Sequence, residues 1–453
     1  MRRCASILLA VSSILCANAP AATRPRYGGV LRIKLRVSVS SLDPGGSPDA
    51  LAAGEQSAKD RIVRLLGDGL VRLDSSGTPR PMLAVSWDRN AEASNWRFRL
   101  RRGVQWQDGS RLDGPSVAAA LQPVLKGIAV TGSGLSVMFE SQHSMPDLLS
   151  ILGEARTAIV RTDGAIVGAG PFRLTQWEPG RHAVLVANEN YWAGRPFLDS
   201  IDIEMGRTPR EQVADFELDR ADLVELSVAD ARRASQRGRR LWTSPPTELL
   251  ALRFVRGRAV DPKLREAMAL SIDRQSIYSV LLQRQGEVYA SLLPQWVSGY
   301  AFSFPAAPDF ARARQLAASL PVSTRALSLQ TENIGTLARA VADRIAVNAR
   351  DAGLMLRPAA PGARPDLELV RVRLTSPDPG AAFIDLMAAL DLSAPPANDP
   401  ESRYSAEQAA LEEHIVIPLA HLPELYGLGS RVRNWAPAGW TWRIGDVWLE
   451  TRP

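Results

Sequence analysis

At 453 residues the chain is longer than the roughly 100–200 residues of one ordinary domain and suits two lobes with a cleft between them. Its formal charge is +6, or +4 without Arg2 and Arg3, and its arginines are interleaved with acids, as in Arg210-Glu211 and Asp219-Arg220-Ala221-Asp222. Such interleaving describes solvated helix faces and excludes the basic stripe that a nucleic-acid binder needs.

Residues 1–22 read as a secretory signal. Arg2 and Arg3 are its charged start, Ile7 to Leu15 its apolar stretch, and Ala17-Asn18-Ala19-Pro20-Ala21-Ala22 its small, cleavable end. The mature protein is therefore expected in the periplasm. Leu15 stands before Cys16 where a lipidation site wants a small residue, which argues against a lipid anchor. Both cysteines, Cys4 and Cys16, belong to this segment, so the remainder forms neither a disulfide nor a thiolate metal site. No later stretch approaches the roughly 18–20 uninterrupted apolar residues of a membrane span.

Val30 to Val37 alternates apolar and polar residues, the pattern of a half-buried strand, and runs into the turn cluster Ser41-Leu42-Asp43-Pro44-Gly45-Gly46. Asn95 to Arg101 alternates again and is followed by a turn ending in Asp108-Gly109; Pro115 to Leu125 then reads as a helix opened by Asp113. Strands are expected after Gly168-Ala169-Gly170-Pro171 and over His182 to Ala187, and short helices over Arg210 to Leu218 and Val228 to Gln236. Leu249 to Phe254 is an apolar strand suited to crossing between lobes. Asp261-Pro262 opens a helix to Ile272, Asp273 opens another, and Pro308 to Leu320 and Ile334 to Ala352 are helices, the last stopped by Gly353. Leu367 to Val372 reads as strand, and the tail with Trp435, Trp440, Trp442 and Trp448 is expected to pack back on the first lobe.

Catalytic signatures are missing: there is no G-x-S-x-G elbow, Walker A loop or H-E-x-x-H. A hydrolase would need His143, His182, His414 or His421 beside a serine such as Ser133, and Gly132-Ser133-Gly134 reads as a flexible loop. His414 and His421 are seven apart, but Pro418 interrupts them and Ile415-Val416-Ile417 reads as strand, so they make no helical metal pair. The tryptophans are mostly core, with some available to wall a cleft.

Several runs, taken in order, resemble family 5 of the bacterial extracellular solute-binding proteins, which includes oligopeptide-, dipeptide- and nickel-binding proteins of ABC importers. They are Gly28-Gly29-Val30-Leu31-Arg32, Ser41-Leu42-Asp43-Pro44, Gly69 to Asp74, Pro81 to Trp87, Trp96 to Gly109, Gly168 to Phe172 with Asn188-Glu189-Asn190-Tyr191-Trp192, Leu264 to Ala267 with Ile272-Asp273-Arg274, and Ser376-Pro377-Asp378-Pro379. The resemblance implies an α/β, two-lobed periplasmic-binding-protein-like fold of type II, with mixed sheets flanked by helices. Lobe I would be discontinuous, residues 23–251 plus 425–453, and lobe II would be 252–424. It also implies a monomer with no catalytic residues, metal or cofactor, which captures a small solute, a peptide foremost, for an ABC permease in the inner membrane. Loops at strand ends of α/β lobes face the crevice, so Ser41, Leu42 and Asp43 on one side and Asp378, Pro379 and Gly380 on the other are the expected ligand contacts; Asp378 has the alternative of merely capping a helix. The chain departs from the family between Leu125 and Gly168 and between Asp385 and Ile415, both short here. The second gap takes away the segment in which peptide binders carry the acid that pairs the ligand's amino group. A ligand-sensing or interaction protein of the same fold is the alternative, and a nickel-chelate or haem binder a further one.

Overall fold

The computed structural model describes residues 24–46, 53–162, 164–331, 336–395, 397, 399–435 and 442–450. The expected signal segment and Trp440 lie outside the described residues.

A single mixed sheet of ten strands runs through the protein. Its order is Phe172–Glu178, His182–Ala187, Ser200–Glu204, Val30–Lys34, Leu223–Glu225, Val416–Leu428, Arg240–Phe254, Leu367–Arg373, Ala326–Gln330 and Met355–Pro358. The mixed sheets expected of two lobes are thus continuous, because two strands are long enough to serve both: Arg240–Phe254 has 15 residues and Val416–Leu428 has 13. These two pair antiparallel, with register shifts between Thr243 and Pro246, Pro246 and Glu248, and Leu250 and Ala251. Pro246 faces Pro423, and because proline has no N–H to give, the ladder is interrupted there.

On the first-lobe side, Leu31, Ile33 and Leu35 pack with Ile201 and Ile203 beneath the helix Ala53–Leu66, through its Ala58, Ile62 and Leu65. A four-stranded sheet sits beside this core: Ala84–Arg89, Asn95–Leu100, Ser136–Glu140 and Ala129–Ser133. In Asn95–Leu100 the alternation is complete, with Trp96, Phe98 and Leu100 buried and Asn95, Arg97 and Arg99 exposed, as a sheet with one wet face requires. Asp113 caps the helix Gly114–Leu121 through Ser116. Gly132 belongs to a strand and not to a flexible loop. A Cβ there would fall 2.0 Å from the Gly114 carbonyl oxygen, so the Gly-Ser-Gly run serves close packing.

On the second-lobe side both faces of the long strand are covered. Leu250, Leu252 and Phe254 enter one core with the helices Pro262–Ser271 and Thr336–Asp351, while Leu249 and Ala251 enter another with Pro379–Ala389. Burial on both faces explains why Leu249 to Leu252 is an unbroken apolar run.

His421 is completely buried here, its Nε2 donating to the Leu292 carbonyl at 3.0 Å. Glu407, also fully buried, accepts from the Leu292 N–H and from the Tyr300 hydroxyl at 2.8 Å. Burial pushes His421 down to about 4 and Glu407 up to about 7. The signs are opposite. Stability from neutral His421 is present above its unfolded value near 6.5 and is lost as pH falls toward 4; stability from protonated Glu407 is present below about 4.5 and is lost as pH rises through 7. Urea unfolding at pH 7 and pH 4.5 should therefore show His421→Gln losing less stability on acidification than the parent, by about 1–3 kcal/mol. Equal losses in the two proteins would mean that His421 is not buried neutral.

Candidate functional site

Between the lobes lies a cavity of ≈ 810 Å³, within the ~300–1,000 Å³ typical of small-molecule sites. Its walls include the end of the helix Ala53–Leu66 with Asp68 and Arg72, the hairpin carrying Asp74 and Ser75, the turn carrying Tyr191 and Trp192, Thr375–Pro377 from the second lobe, and Trp442 from the C-terminal segment.

The helix dictates the first wall. Ala58, Ile62 and Leu65 take its core face, so Arg61 and Arg64, three apart, share another side; of the two Arg64 reaches the cavity, and Asp68 follows four residues after it. The chain after Leu66 can turn because Gly168 and Gly170 pass directly over it. A Cβ on Gly168 would lie 1.9 Å from the Leu66 carbonyl oxygen, and Gln107 Nε2 donates to that oxygen at 2.8 Å and to Phe172 O at 2.7 Å. The Gly168 to Phe172 run and Gln107 thereby fix where Asp68 stands.

Asp68 is 3 % exposed. Its Oδ2 accepts from the Tyr191 hydroxyl at 2.8 Å and from Trp192 Nε1 at 2.7 Å. Asn188 holds that turn by donating to Gly170 O at 3.0 Å and accepting from Asn190 N at 3.1 Å, and the Arg101 guanidinium lies 4.3 Å from the Trp192 ring centre. Burial pushes the Asp68 carboxyl up to about 6, against the opposing pull of its two donors and of Arg64 and Arg72. Arg64 donates to the Gly153 carbonyl and makes no ion pair among the described residues; burial lowers it from its ordinary range. Asp68 and Arg64, each incompletely matched by protein, therefore face the same cavity, which Arg72, Arg443 and Asp446 also line.

Behind them the crossing strands carry a buried ionic network. Glu424 accepts from Arg61 of the first lobe and from Arg373 of the second, and its Oε2 accepts from the Tyr426 hydroxyl at 3.0 Å. Arg61, its side chain 4 % exposed, also lies 3.5 Å from Glu225 and 5.3 Å over the Trp442 ring. Burial alone would raise Glu424, but Arg373 and Arg61 hold it down at about 2.

Of the residues expected from sequence, Leu42 is buried in the first-lobe core, Ser41 Oγ accepts from Asp43 N at 3.2 Å, and the Asp43 carboxylate accepts from Gly45 N at 3.0 Å. None of the three is among the described residues lining the cavity. Asp378 caps the helix Pro379–Ala389 by accepting from Ala381 N at 2.8 Å, with Pro379 in the first turn. The lining stops just short of it and of Gly380, at Thr375–Pro377. Asp68 and Arg64 were not singled out from sequence; Trp442 was, as part of the tail expected to pack on the first lobe, and Tyr191 and Trp192 were, but as a family signature and not as the partners of an acid.

Residues 78–360 match the model of the bacterial extracellular solute-binding proteins, family 5. The nickel-binding periplasmic protein of Escherichia coli is 23 % identical over 242 residues, which is 46 % of this chain and 46 % of that protein. The chain spans about half the length, or less, of the curated relatives it matches first. Among solved structures, the chain superposes on NikA of Staphylococcus aureus in complex with Ni(L-His)2 with a TM-score of 0.78 at 16 % identity, covering 93 % of this chain and 100 % of that one. It superposes on the oligopeptide-binding protein AppA of Bacillus subtilis in complex with a nonapeptide with a TM-score of 0.75 at 16 % identity, covering 94 % and 100 %. Among the described residues no helix is long and apolar enough to cross a membrane. With a family model over more than half its length and the α/β periplasmic-binding-protein fold throughout, the chain belongs to family 5 of the bacterial extracellular solute-binding proteins, a family of non-catalytic binders.

Proposed function

We propose that the protein captures a short peptide between its lobes in the periplasm and passes it to an ABC permease. The observation that carries this reading is the pairing, in one interlobe cavity, of Asp68 with its Oδ1 free of hydrogen bonds among the described residues and of Arg64 with no ion pair among them. A peptide brings an ammonium and a carboxylate, and backbone groups between them. Asp68 takes the ammonium, standing in for the acid lost with the shortened segment before Ile415, and Arg64 takes a carboxylate or carbonyl. Tyr191 and Trp192 pack against the ligand without reading its side chains. The hinge lies where the crossing strands lose register, at Ser244–Thr247 opposite Pro423, and the loop before Asp378, Pro379 and Gly380 closes the far side.

A nickel–amino-acid chelate is the second reading, favoured by the same charge pair, since an amino acid carries both groups. The described lining holds no histidine or cysteine, so the metal would arrive with its own ligands.

A thermal-shift screen of the mature protein against di-, tri- and oligopeptides, nickel–histidine, haem and sugars separates these readings. A ligand at about a hundred times its dissociation constant adds roughly 2.7 kcal/mol. Peptides alone should raise the melting temperature; a rise with nickel–histidine and none with peptides would replace the first reading with the second.

A further inference from the structure

We propose that Gly77 is the contact through which the lobes latch shut, a positioning residue for ligand capture. It sits at the tip of the hairpin joining Val71–Leu73 to Pro79–Pro81, between Ser76 and Thr78, both exposed; Gly77 alone of the three is buried. What buries it belongs to the other lobe. A Cβ on Gly77 would lie 3.0 Å from Asp378 Cα, 3.0 Å from Pro377 O and 3.2 Å from Asp378 N. All three are backbone atoms, which cannot rotate away as a side-chain tip does.

Both sides of this contact are built stiff. In the hairpin, Asp74 Oδ1 accepts from Ser76 N at 3.0 Å, Ser76 Oγ at 2.6 Å and Thr78 N at 3.0 Å, while Oδ2 accepts from Arg80 Nε at 2.8 Å. Across the gap, Ser376 Oγ accepts from Asp378 N at 3.1 Å and Asp378 caps its helix. Two pre-formed turns meeting backbone to backbone admit an added methyl group only by moving apart by a few tenths of an ångström. The contact also borders the ligand cavity, since Asp74 and Ser75 on one side and Ser376 and Pro377 on the other line it. It therefore closes the cavity's rim, away from the hinge. This rests on the reading of two lobes closing over a cleft and not on which ligand enters.

The test uses Gly77→Ala with Gly103→Ala as its control. The two glycines share nearly the same backbone, φ +77° and +76°, but a Cβ on Gly103 meets nothing within 4 Å. Any strain from a positive φ is common to both, and only Gly77→Ala obstructs the other lobe. Because both cysteines lie at positions 4 and 16, the mature chain accepts spin labels cleanly at Arg181→Cys on the first lobe and Val322→Cys on the second, both strongly exposed. Pulsed electron resonance, with no ligand added, should show a short interlobe distance in the parent and in Gly103→Ala. In Gly77→Ala that population should fall roughly tenfold or more relative to the long one. A parent with no short-distance population overturns the proposal. So does a Gly77→Ala variant that keeps it, or equal losses in both variants. A parent that closes and latches as described, yet binds no peptide in the screen above, would sink the peptide reading and leave the latch standing.

Discussion

Glu424→Ala should destabilise the protein by about 3–5 kcal/mol, the largest loss expected from any single charged-to-apolar change in the network. Arg61 would remain buried at 4 % exposure with only Glu225, 3.5 Å away, to balance it, and Arg373 would keep only Glu248 at 4.0 Å. The penalty arises from stranding two desolvated cations, not from the strength of one bond. Removing charge from both sides should therefore be gentler: Arg61→Met combined with Glu424→Gln is expected to recover a substantial part of the loss. Chemical denaturation of the parent and the two variants decides this. Acid has the same effect as the mutation, because Glu424 is held at about 2, below its ordinary 4.5. Its contribution is complete above pH 4.5 and is lost as pH falls through 2. A Glu424→Ala protein within 1 kcal/mol of the parent at pH 7 would show that the network is solvated.

Asp68→Asn should separate stability from binding. With its folded value near 6 against an ordinary 3.8, the buried carboxylate is a destabilising element at pH 8 and a neutral one at pH 4, so the raised acid's contribution is present below 3.8 and lost as pH rises through 6. The amide can still accept from Tyr191 and Trp192 while removing the buried charge. The variant is expected to be more stable than the parent at pH 8 by up to about 3 kcal/mol, a gain that disappears at pH 4. Peptide affinity should move the other way, falling roughly 10- to 100-fold at pH 7.5 with loss of a charge-assisted bond to the ammonium. In the parent, affinity should fall as pH drops below 6 and the carboxylate is protonated. A variant both less stable and unchanged in affinity would make Asp68 a structural tether for Tyr191 and Trp192 only.

What the sequence revealed and what it concealed divide along physical lines. Asn95–Leu100 was legible because one face is wet, so burial is written into alternate letters. Caps such as Asp113, Asp261 and Asp273 were legible because a short acid before a helix satisfies N–H groups a few residues away. The crossing strands were legible only in their apolar pieces, Leu249 to Phe254 and Ile415 to Ile417. Pro418 reads as a break, and Pro245, Pro246 and Pro423 stand in the same two strands, yet the pair accommodates all four with register shifts at Thr243/Pro246, Pro246/Glu248 and Leu250/Ala251. The continuity of the sheet was hidden at those prolines. Asp68 carried no local signal at all: its partners Tyr191 and Trp192 are 123 and 124 residues away, and one acid after a helix end looks like any other. The Ser41–Asp43 run was conspicuous in sequence because turn chemistry is local, while the cavity it was expected to face is assembled from distant segments.

The most direct test of the central claim is calorimetric titration of the protein, at pH 7.5, with a tripeptide found by the screen and with the same tripeptide N-acetylated. If the cleft captures peptides through Asp68, the free amine binds and acetylation weakens binding roughly 100-fold, with the difference shrinking in Asp68→Asn. Equal affinity for the two peptides, in the parent and in the variant alike, would contradict the account: the carboxylate in the cleft would then play no part in recognising the ligand.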